Sequence, residues 1–369
     1  MRIFVGLCVG LLLFIFAVFF IFTSEGHHIH RMEVLENGLE KVVAVSANVS
    51  TQNHNGDLVH ISGHATTTNE ISDAEFGVFE KVLRLKRHVW MYQWQEKSHQ
   101  THENGVRKTV YTYSKIWSKR LIDTSDFHDP TGHENPSSMP YANTVFNAPD
   151  IKVGVFRLTE PFVKRIHYFH HLPLTDKNFN AMAPDVKSSF TLHDGRYFMG
   201  NPKDPQVGDI RVSYSAVFPM LLSIVGQKND DMMTVYATKL GDISLVEEGV
   251  VGARQMFKDA ENASFSDIVL RALISYVIIF ISIMLMLRPL TAVLSIVPLL
   301  GTLVNTALML TAAIAALVVT LVVLALAWVA YQPIIGLSLL ALAAIVLLAG
   351  HKTLKHKVTK SAVSQTSHQ

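Results

Sequence analysis

One cysteine, Cys8, is all that the 369 residues contain, so no intramolecular disulfide can form. It lies inside an apolar run. No catalytic thiol is therefore available outside that run, no Cys/His zinc-finger spacing exists, and Cys8 reads as a packing residue without a lipobox around it. Net charge is also scarce. Thirty-two basic residues face 30 acidic ones, which leaves +2 with neutral His and gives no case for nucleic acid as a partner. Gly-x-Ser-x-Gly, P-loop and dinucleotide fingerprints are all missing, as is His-Glu-x-x-His. Nor does an Asp or Glu interrupt the long apolar runs, and ion-coupled transporters depend on such intramembrane groups. No catalytic, cofactor-binding or metal-ligating residue is assigned, and an enzyme is not expected.

Long apolar runs are abundant. A hydrocarbon core about 30 Å thick needs roughly 20 apolar residues in a helix. Residues 3–22, 268–287, 302–330 and 334–350 meet that length, the last only just. The first run is too long for a signal-peptide core and no small-x-small cleavage site follows it, so it reads as a retained helix. Arg2, Arg288, Lys352, Lys355 and Lys357 flank the runs, and basic flanks favour the cytoplasm. Four passes satisfy them with both termini cytoplasmic and residues 24–267 extracytoplasmic, periplasmic or lumenal. The link 288–301 reads as interfacial or re-entrant, Tyr331-Gln332-Pro333 as a tight hairpin, and 351–369 as a basic cytoplasmic tail. Ala312, Ala313, Ala315 and Ala316 on the third helix, with Gly336, Ser338 and Ala341 on the fourth, suit close helix packing. The expected class is an α+β membrane protein with four transmembrane helices and a large β-rich domain between helices 1 and 2.

Within that domain, alternating runs predict strands at Leu58–Ala65, Leu83–Glu96, Lys108–Arg120, Ile151–Leu158, Ile210–Val217 and Thr234–Lys239. The second and third flank Asn104-Gly105, the preferred pair for a type I′ hairpin turn. If that pair is the turn, partners have residue numbers summing to 209, so Tyr92 meets Trp117, Trp94 meets Lys115 and Glu96 meets Tyr113. Period-two alternation then puts Trp90, Tyr92, Trp94, Tyr111, Tyr113 and Trp117 on one face. Such a face is either core or a platform for a partner, ligand or membrane interface. Gly56-Asp57-Leu58 and Gly208-Asp209-Ile210 open two similar strands, which allows two similar subdomains. After Glu247 the pattern turns helical, and Ala253–Phe265 is expected to run into the second membrane helix.

Eighteen histidines raise a metal-binding or ligand-sensing alternative. The clusters are His27-His28 with His30, and His167 with His170-His171. On a helix, His167 and His170 would share one turn, yet no third ligand can be named. His133-Glu134-Asn135-Pro136 reads as turn chemistry. A channel or transporter subunit rests on the four helices alone.

Four motifs, in order and spacing, resemble one family. They are Phe22-Thr23-Ser24-Glu25-Gly26, Arg87-His88-Val89-Trp90-Met91-Tyr92-Gln93-Trp94, Gly132-His133-Glu134-Asn135-Pro136-Ser137, and Asn201-Pro202 continuing through Pro205 to Val207-Gly208-Asp209-Ile210-Arg211-Val212-Ser213. Together they are similar to the LUMA family, also called transmembrane protein 43, over nearly the whole chain. The resemblance implies a four-pass, self-associating membrane scaffold. Its animal members occupy the endoplasmic reticulum and inner nuclear membrane and organise envelope proteins such as emerin and lamins, and a bacterial member would occupy the inner membrane. Animal members carry an extension before the first helix, whereas here the run starts at Ile3. The bilayer and self-association are the partners expected, with other membrane proteins unnamed.

Overall fold

The computed structural model describes residues 2–49, 53–103, 106–294, 301–329 and 332–366. Four helices are long and apolar enough to cross a bilayer, and a large sheet-rich region lies between the first and the second. They are α1 (Arg2–Lys41), α2 (Ala253–Leu294), α3 (Gly301–Val329) and α4 (Pro333–Thr366). α1 outlasts its apolar run because no proline interrupts residues 23–41, and Met, Glu, Leu and Lys there favour a helix. α2 runs unbroken from Ala253 and tolerates Pro289 near its end. Pro333 opens α4, where a missing N–H costs no helical hydrogen bond. Residues 295–300 of the expected link and Tyr331 of the expected hairpin lie outside the described residues.

The chain divides into two compact units, each with its own packing. One comprises Met1–Glu40, Ala237–Asp242 and Phe257–Gln369 and contains the membrane helices. Ala17 and Ile21 of α1, Ile279 of α2, and Ala316 and Leu324 of α3 form a buried cluster. Small residues permit this closeness. A Cβ on Gly10 would come within 2.9 Å of both Met286 Cγ and the Ser282 carbonyl, and one on Gly336 within 2.6 Å of the Val329 amide. Ala312 and Ala316 are buried, whereas Ser338 and Ala341 are exposed.

Among the described residues of this helical unit, one carboxylate is buried. Glu25 is 1% exposed and accepts a 2.9 Å hydrogen bond from Trp328 Nε1. Trp328 packs with Ile29 and Ile268. A buried carboxylate needs such a donor because desolvation of an ionised group is expensive. Glu25 stands three residues beyond the first apolar run, so scanning the runs for acids misses it.

The second unit, Lys41–Tyr236 with Ile243–Met256, is the sheet-rich one. Six of its strands position the candidate site: β1 (Leu58–Thr66), β2 (Arg84–Glu103), β3 (Val106–Ser118), β4 (Arg196–Met199), β5 (Ile210–Val217) and β6 (Met220–Asn229). β1 and β6 pair with each other and also connect through Lys152–Val153, Phe156–Leu158 and Met232–Thr234, so this sheet closes on itself. The other sheet runs Thr191–His193, β4, β5, β2, β3. β5 belongs to that sheet and β6 to the closed one, with Phe218-Pro219 between them. Proline has no N–H to extend the first ladder, which suits a change of sheet. Both sheets contribute to one buried cluster, including Val59, Ile61, Leu85, Val89, Phe156, Tyr197, Tyr214 and Ile224.

Several expected strands change form. Residues 151–158 make a short hairpin, Lys152–Val153 with Phe156–Leu158, because Gly154 turns the chain at φ +60°. Residues 234–239 divide between Met232–Thr234 and Tyr236–Thr238. β6 is an addition to the expected set. Its run of buried residues shows no alternation, since both of its sides are covered. The two Gly-Asp strands, β1 and β5, stand in different sheets, and both glycines take positive φ before their strands. His170 and His171 lie in a strand and His167 precedes it, so no helical turn joins them.

Candidate functional site

The register of β2 and β3 follows from their sequence. Tyr92 pairs with Trp117, Trp94 with Lys115, Glu96 with Tyr113 and Glu103 with Val106, so every pair sums to 209. Asn104 and Gly105 lie outside the described residues. On β2 the odd positions Leu85, Arg87, Val89, Met91 and Gln93 are buried, and the even positions Lys86, His88, Trp90, Tyr92 and Trp94 are half-buried. The core therefore lies against the odd face. All six rings singled out above, Trp90, Tyr92, Trp94, Tyr111, Tyr113 and Trp117, share the other face and are half-buried.

That face has two halves. In one, the chain between β3 and Thr144 folds back over the hairpin. His133 stacks on Tyr113 at 3.8 Å between ring centroids and meets Trp94 edge-on at 4.7 Å, while His128 stacks on Tyr111 at 4.1 Å. Asn135 completes the cover. Its side chain accepts from the Trp94 amide at 2.7 Å and donates to the Trp94 carbonyl at 3.0 Å, as another strand would. Turn chemistry at 133–136 thus serves to cover the rings at this end.

In the other half, cations lie on the rings. Arg211, opposite Trp90 in the ladder, places its guanidinium 4.6 Å from the Trp90 ring centre and 4.8 Å from that of Trp117. Lys119 Nζ lies 4.9 Å above Trp90, and Lys115 Nζ 4.9 Å above Trp94. Phe198 of β4 pairs with Arg211 in register and touches Trp117 edge-on at 6.2 Å. Cation–π contacts of this kind contribute about 0.5–2 kcal/mol each, more as the pair is desolvated. The Arg211 Nε is buried without a hydrogen-bond partner. Burial pushes the Arg211 pKa below its ordinary value, and the nearby Arg196 adds to the effect.

His88 sits beneath these cations. One ring nitrogen is 2.9 Å from Ser215 Oγ and the other 3.5 Å from Lys119 Nζ. Burial first, then Lys119 and Lys86, push its pKa down to about 4. The unfolded imidazole, at about 6.5, protonates earlier on acidification, so the folded state loses stability between those two values. Solvent reaches the half-buried ring and screens the effect, which leaves on the order of 1 kcal/mol. Unfolding of wild type and His88→Gln at pH 7.5 and pH 5 checks this. The wild type should lose about 1 kcal/mol more than the variant on acidification.

Lys119, Phe198 and His128 complete the face and escaped sequence reasoning, while Arg211 and His133 entered it only as motif residues and were not assigned to the face. Alternation within a hairpin says which side a residue takes, whereas the β2–β5 register joins positions more than 100 residues apart. Among the described residues, no group of three His, Cys, Asp or Glu side chains is arranged to hold a metal ion.

Comparison with known proteins identifies the family. The family model for transmembrane protein 43 matches residues 91–333. The chain is 30% identical to human transmembrane protein 43 over 361 residues, covering 93% of this chain and 88% of the human one. Similarity to the rat protein is 30% over 347 residues, 89% of this chain and 85% of that one. The Drosophila melanogaster homolog is 24% identical over 348 residues, 90% of each chain. No solved structure matches the chain. With four bilayer-length helices, a sheet-rich region between the first two and this breadth of similarity, the chain is a multi-pass membrane protein of the transmembrane protein 43 (LUMA) family.

Proposed function

We propose that this protein is a non-enzymatic membrane scaffold, which holds partners or copies of itself together through its sheet-rich domain and its helix bundle. The observation that carries the reading is the open half of the aromatic face. Half-buried indoles topped by cations resemble the Trp- and Arg-rich centres of protein interfaces. Close helix approaches at Gly10, Gly336 and Gly350 fit a bundle built for packing. The basic flanks favour an arrangement with both termini in the cytoplasm and the sheet-rich domain on the opposite side. The membrane is the endoplasmic reticulum or inner nuclear membrane in a eukaryote and the inner membrane in a bacterium.

Crosslinking in the native membrane, followed by mild solubilisation, tests the reading. Complexes larger than one chain are expected, with recurrent co-purifying membrane proteins or further copies. A strictly monomeric particle without crosslinked species overturns it.

A further inference from the structure

The open half of the sheet face concentrates positive charge. Lys86, Lys119, Arg196 and Arg211 all project from it, and Lys115 adjoins them over Trp94. Among the described residues none of the five forms an ion pair. The carboxylates sharing the face are engaged elsewhere. Glu96 accepts from the Tyr113 hydroxyl at 2.8 Å and the His128 amide at 2.6 Å, and Asp209 accepts from the Gln206 amide at 2.8 Å. Burial first, and then the charges of Lys119 and Lys86, push the His88 pKa down, while burial and then repulsion by Arg196 push that of Arg211 down. An acidic occupant would relieve this repulsion.

We propose that this face docks an acidic segment of a partner polypeptide, whose carboxylates meet Arg211, Lys119, Lys86 and Arg196. The Trp90 indole holds Arg211 and Lys119 in place before binding, and the Phe169 ring lies beneath Lys86. The Arg211 guanidinium rests against both indoles, and the part of the side chain that remains exposed is left for a carboxylate. Pre-placed side chains lose little entropy on binding.

Size and ring orientation choose the occupant. From β4 to β3 the face crosses three strand spacings, about 14 Å, which is too wide for one phosphate and suits several carboxylates along a chain. Nucleic acid binds such surfaces by stacking bases on bare rings, and bilayers take bare indoles into their interface. Here Trp90 carries Arg211 and Lys119 upon it, so stacking or insertion would have to displace or desolvate those charges. The proposal deepens the scaffold reading by naming the chemistry of one partner, and the two fail separately. Crosslinked complexes without peptide binding leave the scaffold standing and remove this face's assignment.

The test uses the full chain in phosphatidylcholine nanodiscs and a fluorescein-labelled dodecamer of alternating Glu and Ser, read by anisotropy at low salt. Saturable binding is expected, weakened about tenfold or more by Arg211→Gln and by Lys119→Glu, as for charges that contact a ligand directly. Raising salt should weaken it further. Lys164→Glu removes a cation already paired with Glu160 at 2.6 Å and should leave binding unchanged. Lys119 is exposed and just beyond the end of β3, so its variant serves even if Arg211→Gln unfolds. Absence of saturable binding overturns the proposal. So does equal loss in Lys164→Glu, or binding that Lys119→Glu leaves intact. Tighter binding of phosphatidylglycerol vesicles or of poly-dT than of the peptide overturns it as well.

Discussion

Replacing Arg87 with leucine is expected to destabilise the sheet-rich unit by about 3–5 kcal/mol, the range for breaking a buried pair by removing one partner. Arg87 and Asp73 retain 9% and 5% side-chain exposure. Arg87 Nη1 donates to both Asp73 oxygens at 3.1 Å and to Glu75 Oε2 at 2.6 Å, and its Nε donates to the Ala142 carbonyl at 3.1 Å. Its guanidinium also lies 4.8 Å from the Phe76 ring centre, and the Tyr214 hydroxyl donates to Asp73 at 2.7 Å. Without Arg87, Asp73 and Glu75 remain as like charges, with Asp73 out of reach of water.

The pH dependence of that variant has a definite sign. Burial pushes the Asp73 carboxyl above its ordinary value, against Tyr214 and Arg87, which pull it down. Removing Arg87 lets it climb further. An acid whose folded pKa exceeds its unfolded one costs stability as pH rises through the shifted value. The defect should therefore deepen toward neutral pH and shrink in acid. Adding Asp73→Asn should recover a large part of the loss, because the pair couples and an amide carries no charge. Unfolding of the single and double variants at two pH values measures this, and a loss under about 1 kcal/mol would show the network to be dispensable.

Gly77→Ala is expected to cost about 3 kcal/mol, from two sources. Gly77 sits at φ +67°, a left-handed conformation that costs other residues about 1–2 kcal/mol. A Cβ there would also overlap the Asn178 carbonyl and the Met182 amide, both backbone, so the Asp176–Ala181 helix must shift. Overpacking of that kind adds about 1–3 kcal/mol. Gly56 is the control. It has φ +87° with nothing within 4 Å of its notional Cβ, so Gly56→Ala should cost only about 1–2 kcal/mol. Similar losses in the two variants would mean that the helix yields without cost.

How far the sequence reaches is clearest along β2. Hydropathy and Asn104-Gly105 were enough for the pairing of Tyr92 with Trp117 and for the grouping of six rings. They could not say which side of the strand the core covers. The richer aromatic face looks like core by composition, yet the core side is the one bearing Leu85, Val89 and Met91, together with Arg87 and Gln93. Two polar residues on the buried side obscure the pattern. Each is accommodated by groups outside its own strand, Arg87 by Asp73, Glu75 and the Ala142 carbonyl, and Gln93 by the Arg120 carbonyl and the Ile122 amide. Glu25 presents the same difficulty in the helical unit, since its partner Trp328 is 303 residues away.

The four bilayer-length helices, the hairpin register and the family are legible in the chain alone, because these depend on local length, period and motif order. Long-range packing is what puts β5 beside β2 and so sets Arg211 between Trp90 and Trp117. It alone decided that one half of the aromatic face is covered by His128, His133 and Asn135 while the other stays open. The physical reason is that burial is a property of layers, and a layer is assembled from segments whose separation along the chain leaves no periodic trace in either of them.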